Sequence, residues 1–384
     1  MGHTTTSNES RLAARDSFMD ATDLTAWWDR AMGWIIVAYV AAALLAWYTR
    51  TFTPHHHWTF PVFRESFWHL VGHRNLYAPD PAQGYDLFKY SPTFALLFAP
   101  FAIVPPALGM LAWDLVNALV LLAAVGKLLP RREAAIAALV ILPEVFVSAQ
   151  ASQSNALVAG LIVFAFLALE RSRLTQAAIA IGVGTAIKIF PLAAVTFALP
   201  YRTRWRFAWR VVLVGVVLVL LPLGVVSMPF LRQEYRWWAA IESLDALAHG
   251  ASVMGLVARV AHGSWPNWPI QLAGTIVLLA PLVARPREWT DMRFVRLYLC
   301  SLLVYVVLFN HQAERPSYVI AVTGVAIWFA TSPITFWRTV LALATLLGLK
   351  EVPCLAVWIA MQYDLWTQRT DEPALSSELT TRSG

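Results

Sequence analysis

Lys188 interrupts the apolar run GTAIKIFPLAAV, with Gly182 and Gly184 before it and Pro191 after it. A lysine at hydrocarbon depth costs roughly 2.5–3.5 kcal/mol on insertion scales, so it faces a partner or a water-filled cavity. A compact ammonium beside broken helices suits a phosphate. The other side chains able to do chemistry fall in short polar stretches. Glu65, Asp86 and Glu314 offer carboxylates; Lys89, Arg259 and Arg315 offer positive charge; Gln153, Asn155 and Asn310 offer amides, with Tyr90 and His311 nearby. A carboxylate can take a proton and a cation can hold an anion, so acid-base work on an anionic substrate is within reach of these types.

Each has a plainer reading. Asp86 could cap a helix beside a snorkelling Lys89, and Glu65 could sit on the solvated face of an amphipathic helix. Glu314 and Arg315 could form a local ion pair, and Arg259 could touch lipid headgroups. Glu144 and Asp114 are acids inside apolar segments, where polar pairing within a bundle competes with function. His55, His56 and His57 are consecutive and cannot all point at one ion, so no metal site is expected. Cys300 and Cys354 lie in apolar segments without metal-type spacing and read as core thiols. Walker-type loops, dinucleotide fingerprints and nucleophile elbows are absent from suitable contexts.

The elements that must position these residues are membrane helices. Hydrophobic residues make up 58% of the 384 and charged residues only 14%, and the apolar residues fall in blocks separated by short charged turns. The basic residues lie in those turns and not on a soluble domain, so nucleic acid is not an expected partner despite the net charge of +6. Four basic groups, around Lys127, Arg171, Arg204 and Arg293, are expected on the cytoplasmic side. The chain must then cross an even number of times between neighbouring groups. That rule predicts about twelve membrane segments, breaks 174–200 into two half-spans at Lys188, and makes the apolar stretch 90–106 a membrane-lying or re-entrant helix. It places 51–90, 229–266 and the turn FNHQAERPS on the outer face. The expected organisation is a cytoplasmic segment 1–33, a membrane domain 34–366 and a disordered tail 367–384, without a cleavable signal peptide. The start MGHTTT fits the short myristoylation pattern only formally.

In order along the chain, FPVFRESFWHLVGHRNLYAPD, FKYSPTFALLFAPFAIVP, SQSN, AIKIFP and ASVMGLVAR resemble glycosyltransferase family 87 over roughly 34–330. That resemblance implies an all-α, polytopic membrane fold of GT-C type with broken half-helices and an outer-face amphipathic loop. It implies transfer of a hexose, mannose by family resemblance, from a polyprenyl-phosphate donor. An aspartate just before an aromatic in the first outside loop would be the base; the matching position here is Thr59, which cannot act as one at neutral pH.

The expected protein is therefore a membrane glycosyltransferase of the cell envelope, with its active site at the outer face of the cytoplasmic membrane. A lipid-linked glycan or glycolipid would be the acceptor, membrane lipids the surroundings, and no cofactor is required. Asp86, Glu65 or Glu314 would be the base. Lys188, Arg259 and Lys89 would hold the donor phosphate, and Tyr90, Gln153, Asn155, Asn310, His311 and Arg315 would bind substrate. The alternative is a non-catalytic polyprenyl-phosphate or glycolipid carrier or flippase, which needs no base.

Overall fold

The computed structural model describes residues 21–52, 59–78, 87–245, 248–263, 265–348 and 350–367. The N-terminal MGHTTT, His55 to His57, Asp86 and the tail from 368 lie outside the described residues. The described residues are helical, and no strand occurs among them.

The chain opens with α1 (Ala21–Phe52) and α2 (Thr59–Val71), followed by two short helices, α3 (Pro92–Leu97) and α4 (Ala99–Ala102). The bundle proper begins with α5 (Pro106–Leu128), α6 (Arg131–Gln150), α7 (Asn155–Glu170) and α8 (Leu174–Ile187). A 3-10 helix, Phe190–Ala198, leads to α9 (Arg204–Leu220), α10 (Met228–Asp245), α11 (Val253–Ala261) and α12 (Asn267–Ala284). α13 (Met292–Leu308), α14 (Tyr318–Thr331), α15 (Phe336–Ala344) and α16 (Glu351–Thr367) complete it. α6 packs between α1 and α14, α7 lies against α5 and α8, and α13 lies against α14 and α16.

Among the described residues, five helical stretches are long and apolar enough to cross a membrane: Trp27–Phe52, Pro106–Leu128, Arg131–Gln150, Arg204–Gly224 and Asn267–Ala284. α7 and α8 are apolar but shorter. On α9 only Phe207 is buried, while Trp205, Trp209, Val212, Leu213, Val216 and Val217 are exposed. An exposed apolar face of that extent fits hydrocarbon better than water, and the chain is a membrane protein.

The predicted apolar blocks recur as helices, with different ends. α1 begins at Ala21, well before the apolar run at 34, because hydropathy marks where a helix enters lipid and not where it starts. The stretch 90–106 holds two short helices, Pro92–Leu97 and Ala99–Ala102, and not one. Ser91 caps the first by accepting from the Phe94 N–H at 3.1 Å, and Pro100, which has no N–H to give, forces a new start after Phe98. α15 has only nine residues, about 13.5 Å of helix, against a hydrocarbon layer of ~30 Å.

α2 shows how the peripheral pieces are fixed. Its buried residues Phe60, Phe63, Phe67 and Leu70 recur at three- and four-residue spacing, so one face is apolar. Phe63 meets Phe94, Phe98 and Trp113 edge-on, with centroids 5.0, 5.4 and 5.9 Å apart. Each such pair contributes about 0.5–1.5 kcal/mol beyond its buried area, which holds α2 and α3 against α5.

Candidate functional site

Lys188 stands at the end of α8, where its N–H donates to the Gly184 carbonyl at 2.8 Å and its backbone turns extended (φ −143°, ψ 137°). Pro191 stands in the first turn of the 3-10 helix that follows, and its ring packs back on α8. A Cβ on Gly184 would lie 3.1 Å from the Pro191 ring, so glycine is what lets the two arms of the break close together. The predicted interruption of 174–200 is thus present at Lys188.

The Lys188 ammonium donates to Asn155 Oδ1 at 2.7 Å. Asn155 Nδ2 donates to Gln153 Oε1 at 2.6 Å, and Gln153 Nε2 donates to Glu314 Oε2 at 2.6 Å. Each amide orientation follows from its neighbours: an ammonium can only donate and a carboxylate here accepts, so the two amides between them must both point the same way. Lys188 and Glu314 are thereby joined by a buried relay and not by a direct ion pair. Asn155 is fully buried and Gln153 nearly so, whereas Glu314 is exposed.

The turn carrying both amides is held from several sides. α6 ends when Ser152 adopts a left-handed conformation (φ 49°), with the Ser152 and Gln153 N–H groups donating to the Ala149 and Ser148 carbonyls. Trp113 Nε1 donates to the Ser152 carbonyl at 2.8 Å. Thr59 donates its hydroxyl to the Ala151 carbonyl at 2.7 Å, so the residue matching the expected aspartate clamps this same turn.

Lys188 and Glu314 open on a cavity of about 680 Å³, lined also by Lys89, Tyr90, Asn310 and His311. Asn155 and Gln153 do not line it; they lie behind it. Arg315, Arg259 and Glu65 are also off its lining. Glu65 accepts from Arg64 at 3.4 Å, and Arg259 on α11 donates to Glu351 on α16 at 3.0 Å.

Glu144, buried in α6, receives Arg315 Nη1 at 2.6 Å on one oxygen and the Lys350 ammonium on the other. A carboxylate buried between two cations ties α6 to the turn before α14 and to the start of α16. It fixes the turn that presents Asn310, His311 and Glu314. A second clamp comes from Gly250, where φ is 47° and a Cβ would lie 2.5 Å from the His311 carbonyl. Its neighbour Ala251 donates to the Ala313 carbonyl at 2.7 Å.

Sequence reasoning did not single out Trp238 and Glu242 on α10, Gln271 on α12 or Gln312, all of which line the cavity. Trp238 and Glu242 are four apart and share one helix face, the only signal that could have paired them. Gln312 Nε2 donates to Glu242 Oε2 at 3.1 Å, and Gln271 Nε2 lies 3.2 Å from the Phe309 carbonyl and from His311 Nδ1.

α10 also holds Glu234, fully buried, which accepts from the Leu76 N–H at 3.1 Å. Its other oxygen has no partner among the described residues. Burial pushes this carboxyl up to about 7, against the Leu76 hydrogen bond, which favours the ion.

A search of curated proteins returned no match. Residues 88–310 match glycosyltransferase family 87, a narrower span than the resemblance suggested, ending at Asn310 and so before Glu314. That match covers more than half of the 384 residues and takes in Lys89, Asn155, Lys188 and Glu242, so the chain belongs to glycosyltransferase family 87.

Proposed function

We propose that this glycosyltransferase moves a hexose, mannose by family resemblance, from a polyprenyl-phosphate donor to a lipid-linked glycan or glycolipid acceptor. The observation that carries the reading is the pairing in one cavity of an ammonium, Lys188, and a carboxylate, Glu314, kept apart by two amides. The donor phosphate binds Lys188, with Lys89 from the neighbouring wall adding charge. An acceptor hydroxyl attacks the anomeric carbon while Glu314 takes its proton. The bond from that carbon to the phosphate oxygen breaks, and the leaving phosphate keeps the electron pair against Lys188.

Glu314 is preferred over Glu65 because it lines the cavity with Lys188, and over Thr59 because a hydroxyl locked to a carbonyl is no base. Asp86 lies outside the described residues and stays a rival, to be separated from Glu314 by mutation. Arg259 acts less directly in this reading, since Glu351 already balances it. In this reading the cavity opens at the outer face of the cytoplasmic membrane, an orientation that the distribution of basic turns supports. A GT-C type architecture of about twelve segments, with the breaks at Lys188 and Phe98 as its half-helices, belongs to the same proposal.

The deciding experiment is transfer by the purified protein from polyprenyl-phosphate mannose, with other polyprenyl-phosphate hexoses in parallel, to a membrane glycolipid fraction. Product that requires both Lys188 and Glu314 supports the reading. Tight binding of the donor without transfer from any of these sugars would leave a carrier in place of a transferase.

A further inference from the structure

The cavity has a wall that the phosphate chemistry does not use. α10 contributes Trp238 and Glu242, α12 contributes Gln271, and the turn after α13 contributes Gln312. A carboxylate on that wall disfavours a second anion, because like charges brought together cost free energy. It suits hydroxyls, which donate to carboxylate oxygens. Gln312 is already hydrogen-bonded to Glu242, so the carboxylate and the amide are held as one unit, with acceptor and donor atoms side by side. Gln271 is aimed by its contacts to the Phe309 carbonyl and His311. Trp238, half-buried, is pinned by its Nε1 donating to the Lys89 carbonyl at 3.3 Å, which gives this wall a fixed aromatic ring.

We infer that Trp238, Glu242, Gln271 and Gln312 form a subsite for the uncharged, hydroxyl-rich sugar of the donor, distinct from the cationic groups that take its phosphate. The inference rests on the proposed reading of the cavity as a lipid-phosphate sugar site. Rigid polar groups facing a sugar hydroxyl discriminate strongly, since a ligand lacking the hydroxyl leaves them unpaired. The ring adds an apolar face for the C–H side of a pyranose.

The test compares two ligands that differ only by the sugar: polyprenyl phosphate and polyprenyl-phosphate mannose, each titrated against the full chain in nanodiscs. Glu242→Ala should weaken the sugar-bearing lipid by about 10-fold or more, the loss of one good hydrogen bond, and leave bare polyprenyl phosphate within about 2-fold. Glu242→Gln, which keeps size and one acceptor, should fall between the two and guards against a folding defect. Equal weakening of both lipids in both variants, or equal binding of both lipids by the unmodified protein, overturns the subsite. If neither lipid binds, the lipid-phosphate reading is what fails. An uncharged alkyl mannoside then decides: binding that Glu242→Ala abolishes supports the subsite, and no binding ends it.

Discussion

Gln153 Nε2 reaches Glu314 Oε2 at 2.6 Å across 161 positions of sequence. Through Asn155 that contact continues to Lys188, so the two charged groups share a hydrogen-bonded path without touching. A direct ion pair would have left each charge occupied by the other. In the proposed reaction the interposed amides leave the ammonium available to phosphate and the carboxylate available to an acceptor hydroxyl.

Replacing Lys188 by Ala should weaken polyprenyl-phosphate binding by about 1.5–3 kcal/mol, the range for a hydrogen bond to a charged group. Lys188→Arg should recover only part of it, because a planar fork does not reproduce a compact ammonium in this break. Binding titrations on folded protein read both effects. Unchanged affinity in Lys188→Ala would return the lysine to a structural role.

Glu314→Gln keeps the shape of the side chain but not its basicity. Transfer should slow by about 10²- to 10⁴-fold while donor affinity stays nearly constant. Asp86→Asn and Glu65→Gln are the parallel variants, and a large loss confined to one of those would move the base there.

Asn155→Asp places a carboxylate where Lys188 now finds an amide oxygen at 2.7 Å. The resulting ion pair should compete with phosphate and lower polyprenyl-phosphate affinity by about 10-fold or more. Asn155→Asp binding as tightly as the native chain would show that the ammonium is not what receives the phosphate.

Glu234 predicts a pH effect on stability. Its folded pKa, about 7, lies above the usual glutamate value of 4.5, so between these values the folded state holds the extra proton. Stability from this group is therefore full below about 4.5 and declines as pH rises through about 7, by at most about 1.4 kcal/mol per pH unit. Denaturation of the native chain and Glu234→Gln should diverge across that window, with the variant flatter. Parallel curves from pH 4.5 to 8 would exclude it.

Orientation is open to chemical labelling. Cys300 and Cys354 are buried, so their background reactivity is low. Single cysteines at Gln83 and Gln233 should react with an impermeant thiol reagent on intact cells. Reaction only after lysis would turn the cavity to the cytoplasmic side.

Lys188 could be found in the sequence because an ammonium in an apolar run, before a proline, violates the pattern around it. The helical class and membrane setting were equally legible, since hydropathy is written locally. Gln153, Asn155 and Glu314 could be recognised as polar residues in short turns, but their contact could not, because it depends on how α6, α7 and the turn before α14 pack. Glu242 and Gln271 look like ordinary polar positions on helix faces, and only the cavity gives them meaning. Thr59 illustrates the opposite case: the sequence exposed a missing carboxylate, and the structure supplies a hydroxyl with a different task.

Glu144 draws together Arg315 and Lys350, and Lys350 is synthesised after the other two. Until Lys350 emerges, Arg315 and Glu144 lack their third member, and the turn bearing Glu314 is not yet fixed. The cavity is therefore finished only once Lys350 has joined, and a nascent chain stalled before Lys350 would hold the groups that line it in place only loosely.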